Sequence, residues 1–175
     1  MPTDTAPRFT LTPFQPSDWP FFLELRRDPA IMQFMAEIAS EEQIRILFED
    51  RLMDANAFII RDAHQRPLGD IGLRISTENG EEADVGYSVA PAAQGQGVAS
   101  QALQALCEVA FNQRDILALN AWVLAENQGS VRVLEKRGFR KTQVLEKANL
   151  LRGEYYDDWV FRLERQDFLS VGRSQ

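Results

Sequence analysis

The run Gln94-Gly95-Gln96-Gly97-Val98-Ala99-Ser100 places two glycines before a segment in which Ala99, Leu103, Leu106 and Ala110 recur at helical spacing. A glycine turn that feeds a helix exposes backbone N–H groups without intrahelical partners at the positive end of the helix dipole. Such a turn attracts an anion, phosphate above all. Two familiar phosphate loops fail the test. A dinucleotide fingerprint needs Gly or Ala three places after Gly97, where Ser100 stands, and a P-loop needs Gly-Lys-Ser/Thr, which is absent. Gln-x-x-Gly-x-Ala remains, and alone it describes a ligand-free strand-to-helix turn equally well.

A second group follows in Asn127-Gln-Gly-Ser130-Val-Arg-Val-Leu-Glu-Lys-Arg-Gly138-Phe139. It stands one strand and one helix start beyond the first, the separation a neighbouring parallel strand requires. His64 falls in a turn-like segment and reads as a solvated loop histidine. Cys107 falls mid-helix and reads as a small buried apolar residue. No His, Cys or carboxylate cluster has metal-ligand spacing, so no metal is expected.

The elements that must position these groups follow from periodicity. Arg8 to Phe14 alternates as a first strand ended near Pro13, and Ser17-Asp18 starts a helix with Trp19, Phe22, Leu23 and Arg26 on one face. Asp28-Pro29 breaks it, and a short helical piece spans Ala30 to Met35. Ser40 and Gln43 fit a capping box before a stripe of Ile44, Leu47, Phe48 and Leu52. Strands follow at 57–60, 68–75 and 83–89, with turns at 62–67 and Asn79-Gly80 making them antiparallel. After the glycine loop and its helix to Phe111 come a strand at 117–123, a helix at 127–137 ended by Gly138, and extended segments from Phe139 and over 154–163. Ser170 to Gln175 reads as a frayed end. The whole is one α/β domain, 1–175 with a core of about 8–165, having a mostly antiparallel sheet and few helices.

Composition narrows the function classes. A net charge of -7 over 175 residues disfavours sequence-independent nucleic-acid binding, which depends on Lys and Arg, and suits a cationic substrate or simple solubility. The single cysteine cannot form an internal disulfide, and no apolar run reaches signal-peptide or membrane-span length. A soluble cytoplasmic protein without membrane or nucleic-acid partners is the expectation, with monomer and homodimer both open.

Taken together, the two motifs resemble the GNAT superfamily of acetyltransferases. The resemblance spans about residues 8 to 163 and implies the GNAT fold: about seven strands in a mixed sheet, about four helices, and a splay between strands 4 and 5. It implies that Gln94, Gly95, Gln96, Gly97, Val98, Ala99 and Ser100 bind the pyrophosphate of acetyl-CoA, that the Val89 backbone pairs with pantetheine, and that Asn127 contacts the arm's amides. Within the superfamily, Arg8-Phe-Thr-Leu-Thr-Pro-Phe14, Ser17-Asp18, Asp28-Pro29-Ala-Ile-Met32, Asp84-Val-Gly-Tyr87 and Ser130 look like the Rim group of ribosomal-protein N-terminal alanine acetyltransferases.

Acetyl transfer needs a neutral amine beside the thioester, a donor for the oxyanion and a proton source for the leaving thiolate. Many GNAT enzymes carry a tyrosine seven residues after the motif's Asn, where this chain has Leu134. The Rim group instead implies Ser130 near the CoA sulfur; the same residue can also cap the helix start. Asp84 corresponds to an acidic strand-4 residue that accepts the amine proton, or it is a solvent-facing carboxylate. Tyr155-Tyr-Asp-Asp-Trp159 lines the acceptor channel or forms a packed aromatic strand. Deprotonating an α-amine at neutral pH costs about 1 kcal/mol, against about 4 to 5 for lysine. A protein or peptide N-terminus is therefore the expected acceptor, a small amine the alternative, and a non-catalytic acyl-CoA sensor a third reading motivated by Leu134.

Overall fold

The computed structural model describes residues 8–76 and 78–173, without the side chains of the last three of these. Along the chain run β1 (Thr10–Pro13), α1 (Trp19–Arg27), α2 (Pro29–Met32), α3 (Glu41–Leu52), β2 (Ala57–Arg61), β3 (Pro67–Ile75), β4 (Glu82–Val89) and α4 (Val98–Gln113). Then follow β5 (Ala118–Leu124), α5 (Gln128–Lys136), β6 (Arg140–Leu151), β7 (Glu154–Glu164) and α6 (Arg165–Arg173). Local chemistry sets the helix boundaries. The Asp28 carboxylate accepts from the Ala30 N–H at 2.8 Å, which ends α1 and starts α2 behind Pro29. Ser40 and Gln43 form the expected reciprocal cap of α3, at 3.2 and 3.1 Å.

Among the described residues seven strands make one sheet in the order β1-β2-β3-β4-β5-β7-β6. Every pairing is antiparallel except β4 with β5. Strand alternation divides the faces. Ile71, Leu73, Ala83, Val85 and Val89 pack with Leu103, Leu106 and Phe111 of α4, and with Val131 and Leu134 of α5. On the opposite face Phe14, Phe22 and Phe48 meet edge-on or tilted at 5.5–5.9 Å between centroids, burying α1 and α3 against β1 and β2. Asp70, Arg74, Asp84 and Ser88 alternate onto this second face.

The parallel pairing is short. β4 and β5 pair only at Glu82↔Ala118, Ala83↔Leu119 and Asp84↔Asn120. β4 continues to Val89 paired with β3, and β5 to Leu124 paired with β7. Beyond Asp84 and Asn120 each strand therefore keeps one neighbour, and a V opens between them. At its apex the Glu82 carboxylate accepts from Asn120 Nδ2 at 3.0 Å and Arg162 Nη1 at 2.7 Å, joining β4, β5 and β7. These bonds, Arg162 first, hold the Glu82 carboxyl below its usual range.

Among the described residues six α-helices flank the sheet where about four were expected. Ser170 to Arg173, read from sequence as a frayed end, continue α6; Ser174 and Gln175 lie outside the described residues. Tertiary contact makes that helix: the Arg165 N–H donates to the Leu117 carbonyl at 2.9 Å, and Phe168 lies 5.2 Å from Phe111.

Gly69 sets how closely β3 can approach the end of β4. A Cβ there would stand 2.1 Å from the Ser88 carbonyl oxygen. Gly69→Ala is therefore expected to cost at least about 1–3 kcal/mol of overpacking strain, read as a lower urea midpoint. A wild-type midpoint would contradict the close approach.

Candidate active site

The V opens into a cavity of about 570 Å³. β4 contributes Tyr87, Ser88 and Val89, the glycine loop Gln94, Gly95 and Gly97, and the first turn of α4 Val98, Ala99 and Ser100. Asn127 and Ser130 reach it from the start of α5. Of the residues expected around the cofactor, only Gln96 is not in the lining. It is exposed, and its Nε2 donates to the Ala92 carbonyl at 3.4 Å.

The loop's shape follows from its glycines. Gly95 and Gly97 both have φ of 78°, in the left-handed region that costs other residues about 1–2 kcal/mol. Gly97 is the N-cap of α4, and its carbonyl accepts from the Gln101 N–H at 3.0 Å. The N–H groups of the first α4 turn have no intrahelical acceptors and border the cavity. Gln94 braces the loop, its Nε2 donating to the Val89 carbonyl at 3.0 Å. Arg137 braces α4 against α5, its Nε donating to the Ser100 carbonyl and Oγ, each at 2.8 Å.

Charge in this cavity comes from Arg132 and Lys136, one turn apart on α5, the charged members of its lining. The sequence reading passed over them. Their i, i+4 spacing after Asn127 was the available signal, because it sets both on one helix face.

Ser130 does not cap α5. Asn127 Oδ1 does so, accepting from the Ser130 N–H at 3.2 Å. The Ser130 hydroxyl instead stands 2.8 Å from the Tyr87 hydroxyl. Burial pushes the Tyr87 phenol up to about 12, the Ser130 bond only partly offsetting it, so the phenol is a neutral donor. Tyr87 entered the sequence reading only as part of a motif. Its partner lies 43 residues away, so no local spacing announces the pair. Leu134 is 1% exposed within the core, which explains why a phenol does not come from that position of α5.

A second cleft, about 360 Å³, lies between the end of α3 and strands β3 and β4. It shares Met35, Tyr87 and Ser88 with the first, so the two meet at the end of β4. Asp84 lines it, half-buried, at the last residue paired with β5. Burial raises the Asp84 carboxyl above its ordinary range, Arg74 across the strand opposes this, and Glu82 adds to it. The cleft's charged lining is four aspartates (Asp50, Asp54, Asp70, Asp84) against three arginines (Arg26, Arg51, Arg74). One cavity is thus cationic and the other acidic on balance.

The remaining candidates fall elsewhere. His64 sits exposed in the β2–β3 turn. Cys107 is buried within α4, and burial pushes its thiol up to about 12. Residues Tyr155 to Trp159 line neither cavity. Trp159 packs beneath Lys141, whose Nζ is 3.8 Å from the ring centroid, and Asp157 accepts from the Lys147 N–H. Trp159 is thus the packed member of this segment, while Tyr155 at its start is 64% exposed. Among the described residues no three His, Cys, Asp or Glu side chains converge as for a metal, and no helix is long and apolar enough to cross a membrane.

A splayed mixed sheet with a glycine loop and helix start at its mouth defines an acetyltransferase of the GNAT type. The chain belongs to that family: the family model described as acetyltransferase (GNAT) domain matches residues 8–140. It is 23% identical over 176 residues to the uncharacterized N-acetyltransferase p20 of Bacillus licheniformis, covering 96% of this chain and 99% of that one. It is 31% identical over 87 residues to the probable N-acetyltransferase YjcK of Bacillus subtilis, covering 50% and 48%. Among solved structures, a GNAT-family acetyltransferase from Bacillus anthracis superposes with a TM-score of 0.84 at 23% identity, over 93% of this chain and 98% of that one. Spermidine N-acetyltransferase from Vibrio cholerae, solved with CoA and spermine, also gives a TM-score of 0.84, at 22% identity over 93% and 98%. The protein is a GNAT-family N-acetyltransferase.

If the loop backbone approaches the cofactor directly, a bulky side chain at Gly97 blocks it. Space beside Gly97 admits a Cβ, whose nearest neighbour would be Gln101 Nε2 at 3.8 Å, so strain at positive φ is the main cost to folding. Gly97→Leu is expected to abolish CoA binding by calorimetry while retaining a cooperative thermal transition. Wild-type affinity would remove the loop from the site.

Proposed function

We propose that this protein transfers the acetyl group of acetyl-CoA to a primary amine, most favourably the α-amine of a protein or peptide N-terminus, as the resemblance to the Rim group implies. The observation that carries the reading is the meeting of two cavities of opposite charge at Tyr87 and Ser88. Arg132, Lys136 and the first turn of α4 suit the phosphates of acetyl-CoA. The unpaired stretch of β4 ending at Val89 suits the pantetheine amides, and Asn127 borders the same space. The acidic cleft suits an incoming ammonium.

No covalent nucleophile is needed. Asp84 takes the proton the amine must lose by way of water in the cleft, and burial, which raises its carboxyl, makes it a better base than an exposed aspartate. Tyr87, kept neutral, donates to Ser130 Oγ, which leaves the Ser130 proton directed at the leaving sulfur. A thiolate is the better-stabilised anion, so neither hydroxyl needs to ionise permanently. An α-amine suits this modest proton-handling set, because it asks for about 1 kcal/mol of deprotonation rather than the 4 to 5 of lysine.

A small polyamine is the second reading. Asp50 and Asp54 line the cleft together with Asp84, and a structural neighbour was solved with spermine. Thiol release from acetyl-CoA against peptides with varied N-termini and a panel of small amines separates the two. Turnover confined to small amines would sink the N-terminal version.

Loss of the hydroxyl pair gives a sharper test. Ser130→Ala and Tyr87→Phe are each expected to lower kcat about tenfold, the value of one hydrogen bond, with an unchanged KM for acetyl-CoA. The double variant should resemble the singles, because the two hydroxyls act in series. Fully multiplicative effects would show that they act independently.

A further inference from the structure

Beneath the junction of the two cavities lies a buried polar group that the proposed chemistry leaves unused. Asp70 and Ser88 are register partners on β3 and β4, and Arg26 reaches both from α1. Arg26 Nη2 donates to Asp70 Oδ2 at 2.7 Å and Nη1 to Ser88 Oγ at 3.0 Å, while its guanidinium covers the Phe22 ring at 4.8 Å. All three polar residues are at least nine-tenths buried, at 9%, 6% and 6% exposure for Arg26, Asp70 and Ser88.

The group is incompletely satisfied. Asp70 Oδ1 is buried with no hydrogen-bond partner among the described residues. The Ser88 hydroxyl donates to Met35 Sδ at 3.4 Å, a weak acceptor. A carboxylate oxygen left unpaired in the interior is destabilising, a cost that a missing donor would remove. Asp70, Ser88, Arg26 and Met35 all border the acidic cleft, and Ser88 and Met35 border the acetyl-CoA cavity as well. Ser88 is adjacent in sequence to Tyr87, whereas Asp84 lies four residues down the strand, about 13 Å away. The unpaired oxygen is therefore nearer the Tyr87–Ser130 pair along the sheet than Asp84 is.

We propose that Asp70, positioned by Arg26, is the anchor for the acceptor's primary ammonium group. One N–H donates to Asp70 Oδ1 and a second to the remaining lone pair of Ser88 Oγ. Met35, an unbranched thioether with three rotatable bonds, moves aside to admit it. The anchor selects an unhindered primary amine, since two N–H groups hold it while the third proton leaves through water in the cleft to Asp84. Asp84 lines the same cleft but lies too far along the strand to take it directly. This rests on the amine-acetylation reading and adds the residue that recognises the amine.

Asp70→Asn tests it with a built-in sign. Arg26 offers only donors, so the amide oxygen must stay on Arg26 and the amide NH2 then occupies the place of the unpaired oxygen. A donor there opposes an ammonium. The expected result is a KM for the amine raised at least about tenfold, the value of a charge-assisted hydrogen bond, with the KM for acetyl-CoA changed less than twofold. Calorimetric titration of an alanine-initiated tripeptide and of spermidine into the CoA-saturated protein gives a readout independent of turnover. Binding by the wild type that Asp70→Asn loses supports the anchor, even if the wild type acetylates neither amine, in which case the transfer reading alone falls. Wild-type amine KM or affinity in Asp70→Asn, or no amine binding by the wild type, overturns the anchor. Should Asp70→Asn fail to bind CoA, Arg26→Leu with Asp70→Leu replaces the pair by apolar residues that a core tolerates. That double variant should keep CoA affinity and lose the amine, and retained amine affinity overturns the proposal equally.

Discussion

The loss of pairing between β4 and β5 beyond Asp84 and Asn120 governs the rest of this structure. Backbone N–H and C=O groups inside a protein must find partners, so a sheet cannot part at its centre without provision for the exposed edges. Here each strand is held firmly on its outer side. β4 stays in register with β3 to Val89↔Gly69, a contact close enough to exclude a β-carbon, and β5 stays with β7 to Leu124↔Asp158. Below the opening, the Glu82, Asn120 and Arg162 cluster fixes the apex, and the apolar layer under α4 joins both halves. At the end of β4 the Val89 carbonyl takes a side-chain donor from Gln94. The V is thus a stable gap whose remaining edge groups suit a ligand rich in amides.

Electrostatics divides this gap into two sides. The overall charge of -7 would repel a polyphosphate, yet the cavity at the loop is lined by Arg132 and Lys136 and the positive end of α4. On the other face the cleft carries four aspartates against three arginines, a balance that is acidic by one charge. Local arrangement, at distances shorter than the screening length of about 8–10 Å, overrides net charge. Two reactants of opposite sign can then approach the end of β4 from opposite faces of one sheet.

Legibility in the sequence followed the range of the interaction. The glycine loop, the capping box at Ser40 and Gln43, and the Asp28-Pro29 break are local, with cause and consequence within a few residues. They were readable as chemistry, and so was the order of strands and helices. The Tyr87–Ser130 pair spans 43 residues and Arg26–Asp70 spans 44, and nothing in either neighbourhood encodes the partner. Arg26 was visible as a member of the buried face of α1, but burial of a cation becomes informative only once its carboxylate is found. α6 is held by the docking of Phe168 on Phe111, a partner remote in sequence that its own neighbourhood does not name.

The position of the phenol shows how one constraint displaces another. A residue at 134 points into the core beneath α5, where Leu134 is nearly fully enclosed among apolar neighbours. A tyrosine there would have to bring its hydroxyl out of that core, and burying a hydroxyl without a partner costs on the order of 1–3 kcal/mol. Tyr87 avoids the conflict. It lies on the strand that borders the V, its ring is partly covered by the core, and its hydroxyl finds Ser130 across the opening. The same β3–β4 register that keeps the V open therefore also fixes the phenol, through Ile71↔Tyr87, and sets Asp70 opposite Ser88 one residue further on. A single shift of that register would move Tyr87 and Ser88 to the wrong faces together. The β3–β4 pairing, more than any one polar residue, decides whether the two cavities meet over matched chemical groups.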